Sequence, residues 1–336
     1  MSEEAIPVFT VSSAPHAHSG ASVRGIMLDV IIAMTPAMLA STYFFGWHAV
    51  RLIVVCTLGC VATEAACRKL MGRNLAIDDL SAVVTGILLA FNLPPSMPTW
   101  QALFGCIIAI AIAKQVFGGI GYNPFNPALI ARVALLVSFP ASMTRWHSPM
   151  NPARWMSLGW IDGATTATPL DLAKTAIDAG NAIPFDWNAS MAMRFFVGNM
   201  DGCIGEVSAL ALLLGAAYML WRRCISWHIP ATYIATVAIF ATVLRLVNPA
   251  ANMPVSFHLL AGGLMLGALF MATDMTTSPL TKRGQIIYGI GCGCITMLIR
   301  RWGGYPEGVS FAILLMNAIT PLINQYTQPG VYGHKA

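Results

Sequence analysis

Nine residues, Asp162-Gly163-Ala164-Thr165-Thr166-Ala167-Thr168-Pro169-Leu170, set three hydroxyls among small neighbours behind one carboxylate. A threonine hydroxyl on an accessible backbone can carry a phosphoester. Gly163, Ala164 and Ala167 keep the approach open, and Pro169 constrains the way out of the loop. By chemistry alone Thr165, Thr166 and Thr168 are equal acceptors. A threonine-rich turn without any modification satisfies the same residues.

A second set of chemically capable residues lies inside apolar runs. Ionisable groups in such runs are functional candidates, because burying a charge in a membrane is costly. They are Asp29, Glu64, Lys114, Arg132, Glu206, Asp274 and Glu307. Asp29 can simply mark a helix entrance, and Lys114 can snorkel to the interface. Asp274 and Glu307 fall in interrupted segments, where a carboxylate beside free carbonyls can bind a cation. Pairing with a basic residue is the alternative. In "GYNPFNP" (Gly121 to Pro127), Pro124 and Pro127 leave carbonyls without helical partners. Asn123 and Asn126 can satisfy those carbonyls or hydrogen-bond a flavin-like ring. None of the eight cysteines forms a C-x-x-C pair, and no zinc spacing occurs. The "GCGC" run from Gly291 to Cys294 suits close helix packing better than a cluster, which needs more thiolates.

What positions these groups follows from composition. The 336 residues are 57% hydrophobic and 10% charged, against about 25% charged in a soluble domain. An all-α polytopic membrane protein is expected. The net charge of +5 is scattered, which argues against nucleic-acid binding. The N-terminal stretch lacks the apolar core of a signal peptide and reads as a polar tail. About ten stretches suit membrane crossing: 25–45, 48–67, 80–93, 100–118, 125–144, 203–221, 229–247, 256–273, 285–300 and 308–324. Trp47, Trp100, Trp146, Trp221, Trp227 and Trp302 stand at their ends, where a bilayer interface attracts indoles. "GILLAFNLPP" (Gly86 to Pro95) resembles "GALFMATDMT" (Gly267 to Thr276). "GGIGYNPFNPALIARVALL" (Gly118 to Leu136) resembles "GGYPEGVSFAILLMNAITPL" (Gly303 to Leu322). Both matches share an offset of about 180 residues, which predicts a duplicated five-helix unit. An odd number of helices inverts the second copy, giving two inverted repeats with broken helices. The expected organisation is a cytoplasmic tail over 1–24, a first repeat over 25–144, an extracytoplasmic loop over 145–202, a second repeat over 203–324 and a C-terminal tail over 325–336. Basic residues support a cytoplasmic N-terminus: Arg68, Lys69, Arg73, Arg222, Arg223, Lys282 and Arg283 on that side, against Arg51, Arg245, Arg300 and Arg301.

The pattern D-G-x-T-x-A-T looks like the acceptor signature of ApbE-type flavin transferases. Together with "GYNPFNPALIARVALL" and "SFHLLAGGLMLGALFMATDMTTSPLT", the chain resembles the RnfD/NqrB family over nearly its whole length. Length and the short tail favour the RnfD-like branch. The resemblance implies a covalent FMN at Thr168, with Asp162, Gly163, Thr165 and Ala167 as the acceptor motif and Asp162 presenting the strand or the donor. It implies an inner-membrane subunit of an Rnf complex that couples ferredoxin/NAD electron transfer to Na⁺ or H⁺ movement. Its partners would resemble RnfA, RnfB, RnfC, RnfE and RnfG, in contact with membrane lipid. A second, non-covalent flavin such as riboflavin is compatible by analogy.

The flavin would act as an electron relay positioned by the protein. No strand–helix G-x-G-x-x-G fingerprint is present, so nicotinamide chemistry is expected on another subunit. The competing expectation is a stand-alone inverted-repeat transporter or channel without a redox role, and a third is a passive scaffold.

Overall fold

The computed structural model describes residues 22–74, 77–147, 149, 167–181, 184–249 and 252–328. Those residues are largely helical and contain no β-strand. The chain is a multi-pass membrane protein. Four helices are long and apolar enough to cross a membrane. They are α1 (Val23–Phe45), α2 (Trp47–Leu70), α10 (His228–Val247) and α14 (Val309–Tyr326). Shorter apolar helices are α3 (Ser81–Phe91), α4 (Thr99–Ile107, running on as a π-helix over Ile108–Gln115), α5 (Pro127–Ser138) and α9 (Ala209–Trp221). The short α11 (Val255–Leu260) and α12 (Leu264–Leu266, continuing as a π-helix over Gly267–Met271) break the eighth apolar stretch. The longer α13 (Lys282–Trp302) carries Lys282, Arg283, Arg300 and Arg301 at its two ends.

Lipid offers no hydrophobic gain for helix association, so close approach depends on small residues. The Gly291–Cys294 run supplies them. A Cβ on Gly293 would meet Thr236 Cβ at 2.6 Å, and one on Gly291 would meet Met316 Sδ at 2.5 Å. Cys292 is fully buried between those contacts. Of the interfacial tryptophans expected from the sequence, Trp47, Trp100, Trp221, Trp227 and Trp302 are exposed, whereas Trp146 is 8% exposed and lines a cavity.

Between α5 and α9 the chain is not a plain loop. After α6 (Pro140–Met143), its described part contains α7 (Pro169–Asp178) and α8 (Ala189–Val197). Both helices start on side-chain caps, Thr168 and Asn188. Their apolar faces form a second small core in which Leu170, Ala173, Phe195, Met200, Met253, Phe257 and Ala261 meet. Trp187 closes it, with its ring 5.1 Å from those of Phe195 and Phe257 and its Nε1 donating to Ser256 Oγ at 2.9 Å.

The sixth apolar stretch starts later than residue 203, because residues 198–208 are needed elsewhere. The Ile204 and Gly205 N–H groups donate to the Leu93 and Phe91 carbonyls at 3.1 and 2.9 Å. Those carbonyls lie at the end of α3, where Pro94 and Pro95 withhold N–H donors. A Cβ on Gly205 would stand 2.3 Å from Phe91 Cβ. Gly205→Ala should therefore cost about 1–3 kcal/mol, the usual cost of overpacking, seen as a lower unfolding temperature in detergent.

Candidate functional site

The interrupted elements converge on one buried cluster. Arg132, on α5, is 6% exposed. Its Nη1 donates to Asn92 Oδ1 at 2.8 Å, and its Nη2 faces Cys203 Sγ at 3.8 Å and Glu206 Oε1 at 3.8 Å. The same Nη2 donates to Glu307 Oε2. Asn92 caps the end of α3 and bonds the Leu88 carbonyl at 2.6 Å through Nδ2. Arg300, near the end of α13, donates to the carbonyls of Glu307, His258 and Ala261 at 3.1, 2.6 and 3.0 Å. Broken helices leave carbonyls and amides that need partners. Arg300 and Asn92 supply donors to such carbonyls, and Arg132 ties the side chains together.

Thr168 sits beside this cluster. It is the N-cap of α7, accepting from the Asp171 N–H at 3.2 Å through Oγ1, and it is 6% exposed. This corrects the expectation of an exposed acceptor on an open loop. Pro169 begins the helix rather than ending the loop, since proline is well placed in a helical first turn. A T-P-L-D run is a helix start, and the neighbouring threonines obscure that signal. Asp162, Gly163 and Thr165 lie outside the described residues. Ala167 precedes the cap and is half-buried.

Thr168 lines two cavities. One, of about 300 Å³, is bounded by Arg132, Trp146, Asp171, Tyr305, Glu307 and Phe311 among others. The other, of about 10 Å³, lies between Thr168, Asp201, Glu206, Gly262 and Glu307. The position of α7 is pinned by Lys174, whose Nζ donates to the carbonyls of Ile299 at 3.2 Å, Tyr305 at 3.1 Å and Gly303. Burial holds the Lys174 ammonium below the usual lysine range. Lys174→Met should release α7 from the end of α13. The three carbonyls lose a charged donor, which costs about 1.5–3 kcal/mol. Faster proteolysis of the 167–181 segment is the readout.

Asn123, Asn126 and Asp274 meet around a separate cavity of about 100 Å³, with Lys114 and Ser81. Their polar atoms serve the nearby backbone and, at Asp274, a neighbouring hydroxyl. Asn126 Oδ1 accepts from the Ala128 and Leu129 N–H groups at 3.1 and 3.4 Å, and its Nδ2 donates to the Met271 carbonyl at 3.3 Å. Asn123 Nδ2 donates to the Phe125 carbonyl at 3.1 Å. Asp274 accepts from the Thr276 N–H at 3.4 Å and the Thr277 hydroxyl at 3.2 Å. Among the described residues no basic side chain pairs with it. Glu307 does pair with a base, Arg132.

Lys114 does not snorkel. It is 3% exposed and donates to Glu64 Oε2 at 2.9 Å and to Ser81 Oγ at 2.6 Å. Asp29 is held by Arg222 at 3.1 Å and Tyr218 at 2.9 Å, tying α1 to the end of α9. Sequence inspection marked Arg132 and Glu206 as intramembrane charges but missed Asn92 and Cys203 as their neighbours. The helix-ending "FNLPP" was the available signal for Asn92.

Comparison with known proteins places the chain in a family. The model of the NQR2, RnfD, RnfE family matches residues 10–333. A relative from Acetobacterium woodii, the D component of the Na(+)-translocating ferredoxin:NAD(+) oxidoreductase complex, is 47% identical over 96% of this chain and 95% of its own. The D component of the proton-translocating ferredoxin:NAD(+) oxidoreductase complex from Clostridium ljungdahlii is 43% identical over 97% and 96%. The D component of the ion-translocating oxidoreductase complex of Salmonella newport is 39% identical over 98% and 99%. A family match over almost the whole length, on a chain whose apolar helices break where the sequence says they must, leads to one conclusion: this chain belongs to the NQR2, RnfD, RnfE family.

Proposed function

We propose that this chain is the RnfD-type membrane subunit of an ion-translocating ferredoxin:NAD⁺ oxidoreductase complex and carries FMN esterified to Thr168. The single observation that carries the cofactor assignment is that the Thr168 cap lines a cavity of about 300 Å³ walled by Trp146, Tyr305 and Phe311. Aromatic walls with a few polar groups suit a planar ring system. The start of α7 leaves the Leu170 N–H for a phosphate, since Pro169 has none and the Asp171 N–H bonds Thr168 Oγ1, and a helix N-terminus favours that charge. Arg132 lines the same space. Bound there, FMN would supply reversible electron transfer, and the chain would supply the anchor, the ring's walls and the exclusion of water.

Because Thr168 is buried, an ApbE-type transferase must act before α7 docks, or on an opened cap. Two five-segment halves, α1–α5 and α9–α14, account for the two broken regions and for about ten crossings. An inner membrane with a cytoplasmic N-terminus and a periplasmic flavin loop is supported by the basic residues. The count is seven such residues on the N-terminal side, against Arg51, Arg245, Arg300 and Arg301 on the other. The remaining subunits, resembling RnfA, RnfB, RnfC, RnfE and RnfG, would bring electrons to this flavin and remove them. A second flavin such as riboflavin rests on family analogy alone, because the cavity beside Asn123 and Asn126, at about 100 Å³, is small for a flavin and their amide groups are already engaged.

The test is in-gel fluorescence of the denatured chain, expressed with and without the transferase. A band that fluoresces only with the transferase supports the proposal. A dark band in its presence favours an inverted-repeat transporter or channel without redox function.

A further inference from the structure

Glu206 and Glu307 approach each other from different elements, the 198–208 segment and the turn before α14. One ligating oxygen of each, together with Cys203 Sγ, lies within 4.8 Å of the others. Glu206 is 6% exposed, yet no hydrogen-bond donor reaches its Oε1, and Glu307 Oε1 is equally buried and without a donor. The nearby cations are engaged otherwise. Arg132 bonds Asn92 and the other oxygen of Glu307, and stands 3.8 Å from Glu206 Oε1. Arg300 spends its donors on three backbone carbonyls.

A buried carboxylate oxygen that accepts no hydrogen bond is a costly arrangement that some partner normally relieves, and at 3.8 Å the Arg132 guanidinium offers Glu206 Oε1 charge but no hydrogen bond. Both glutamates line the cavity of about 10 Å³. That volume admits one water or one small dehydrated ion. We infer that this cavity is a binding site for a small hard monovalent cation, with Glu206 Oε1 and Glu307 Oε1 as its anionic ligands.

The donor set decides the class. The Cys203 thiol donates to the Asn92 carbonyl at 3.4 Å, so the sulfur keeps its proton and the available ligands are oxygens. Oxygen ligands select hard ions over transition metals. Arg132 alone pairs with the two carboxylates, so one further positive charge balances them and a divalent ion exceeds that balance. Gly263 makes room for the carboxylate: a Cβ there would lie 2.8 Å from Glu206 Oε1. Thr168 lines the same cavity, so a phosphoester on that residue would add negative charge beside the cation.

The inference deepens the ion-coupling part of the proposed function, yet it does not require the flavin. The experiment therefore uses the full chain made without the transferase and purified in detergent. Its unfolding temperature is measured against NaCl, with KCl and choline chloride at equal ionic strength. A ligand that binds only the folded state raises that temperature with concentration. The expected result is a rise specific to Na⁺ and lost in Glu206→Gln. If Glu206→Gln does not fold, Gly263→Ala replaces it and should move the rise to higher Na⁺. Absence of a Na⁺-specific rise in the native chain would mean that water or a proton fills the cavity, and would overturn the inference. An undiminished rise in the variant would overturn it equally. Neither result touches the flavin assignment, which fluorescence reads separately.

Discussion

Thr168→Val should abolish the covalent flavin. The denatured chain should lose its fluorescence, the peptide its FMN mass, and the assembled complex its ferredoxin:NAD⁺ electron transfer, down to the level of a complex made without the transferase. Valine matches the shape of threonine but has no hydroxyl to esterify. The substitution also removes the N-cap of α7, since Oγ1 accepts from the Asp171 N–H. That loss costs about 0.5–2 kcal/mol. Thr168→Ser separates the two effects, because it restores both the cap and an acceptor hydroxyl. Thr165→Val and Thr166→Val should keep the adduct. A fluorescent Thr168→Val chain would remove this residue as the acceptor, and a dark chain with full electron transfer would reduce the subunit to a scaffold.

The largest effect on the fold should come from Arg132→Gln. The guanidinium joins α3 through Asn92, the 198–208 segment through Glu206 and the start of α14 through Glu307. Glutamine leaves two buried carboxylates without their cation. Removing one partner of a buried pair costs about 3–5 kcal/mol. The expected outcome is a large drop in unfolding temperature and poor recovery of folded chain. The double variant Arg132→Gln/Glu307→Gln should recover part of that loss, because it removes one of the stranded charges. Equal stability of the native and Arg132→Gln chains would show that these carboxylates do not depend on the arginine.

Much of this was legible in the chain itself. Charged residues are too few for a water-facing surface, so composition decided the solvent. The prolines of "FNLPP" decided where α3 stops, because proline has no N–H to continue a helix, and Pro127 of "NPFNP" decided where α5 starts. The pairing of Gly291 and Gly293 with close helix contacts follows from having no Cβ, a local property. The nine residues from Asp162 to Leu170 carried the family resemblance.

Tertiary structure decided the partners. Glu64 and Lys114 are 50 positions apart, and Arg132 and Glu307 are 175 apart. Each of these charges alone reads as a snorkelling or pathway residue. Only the folded chain shows that lipid makes them seek each other, since an unpaired charge has no water to turn to. Nor could Thr168 be distinguished from a loop threonine by type. It caps a helix because α7 has an apolar face that docks on Phe257 and Ala261, and that docking buries the hydroxyl beside Glu206 and Glu307. Local chemistry is written in residue types and spacing. The meeting of side chains distant in sequence depends on how the helices pack, and no short window of sequence contains it.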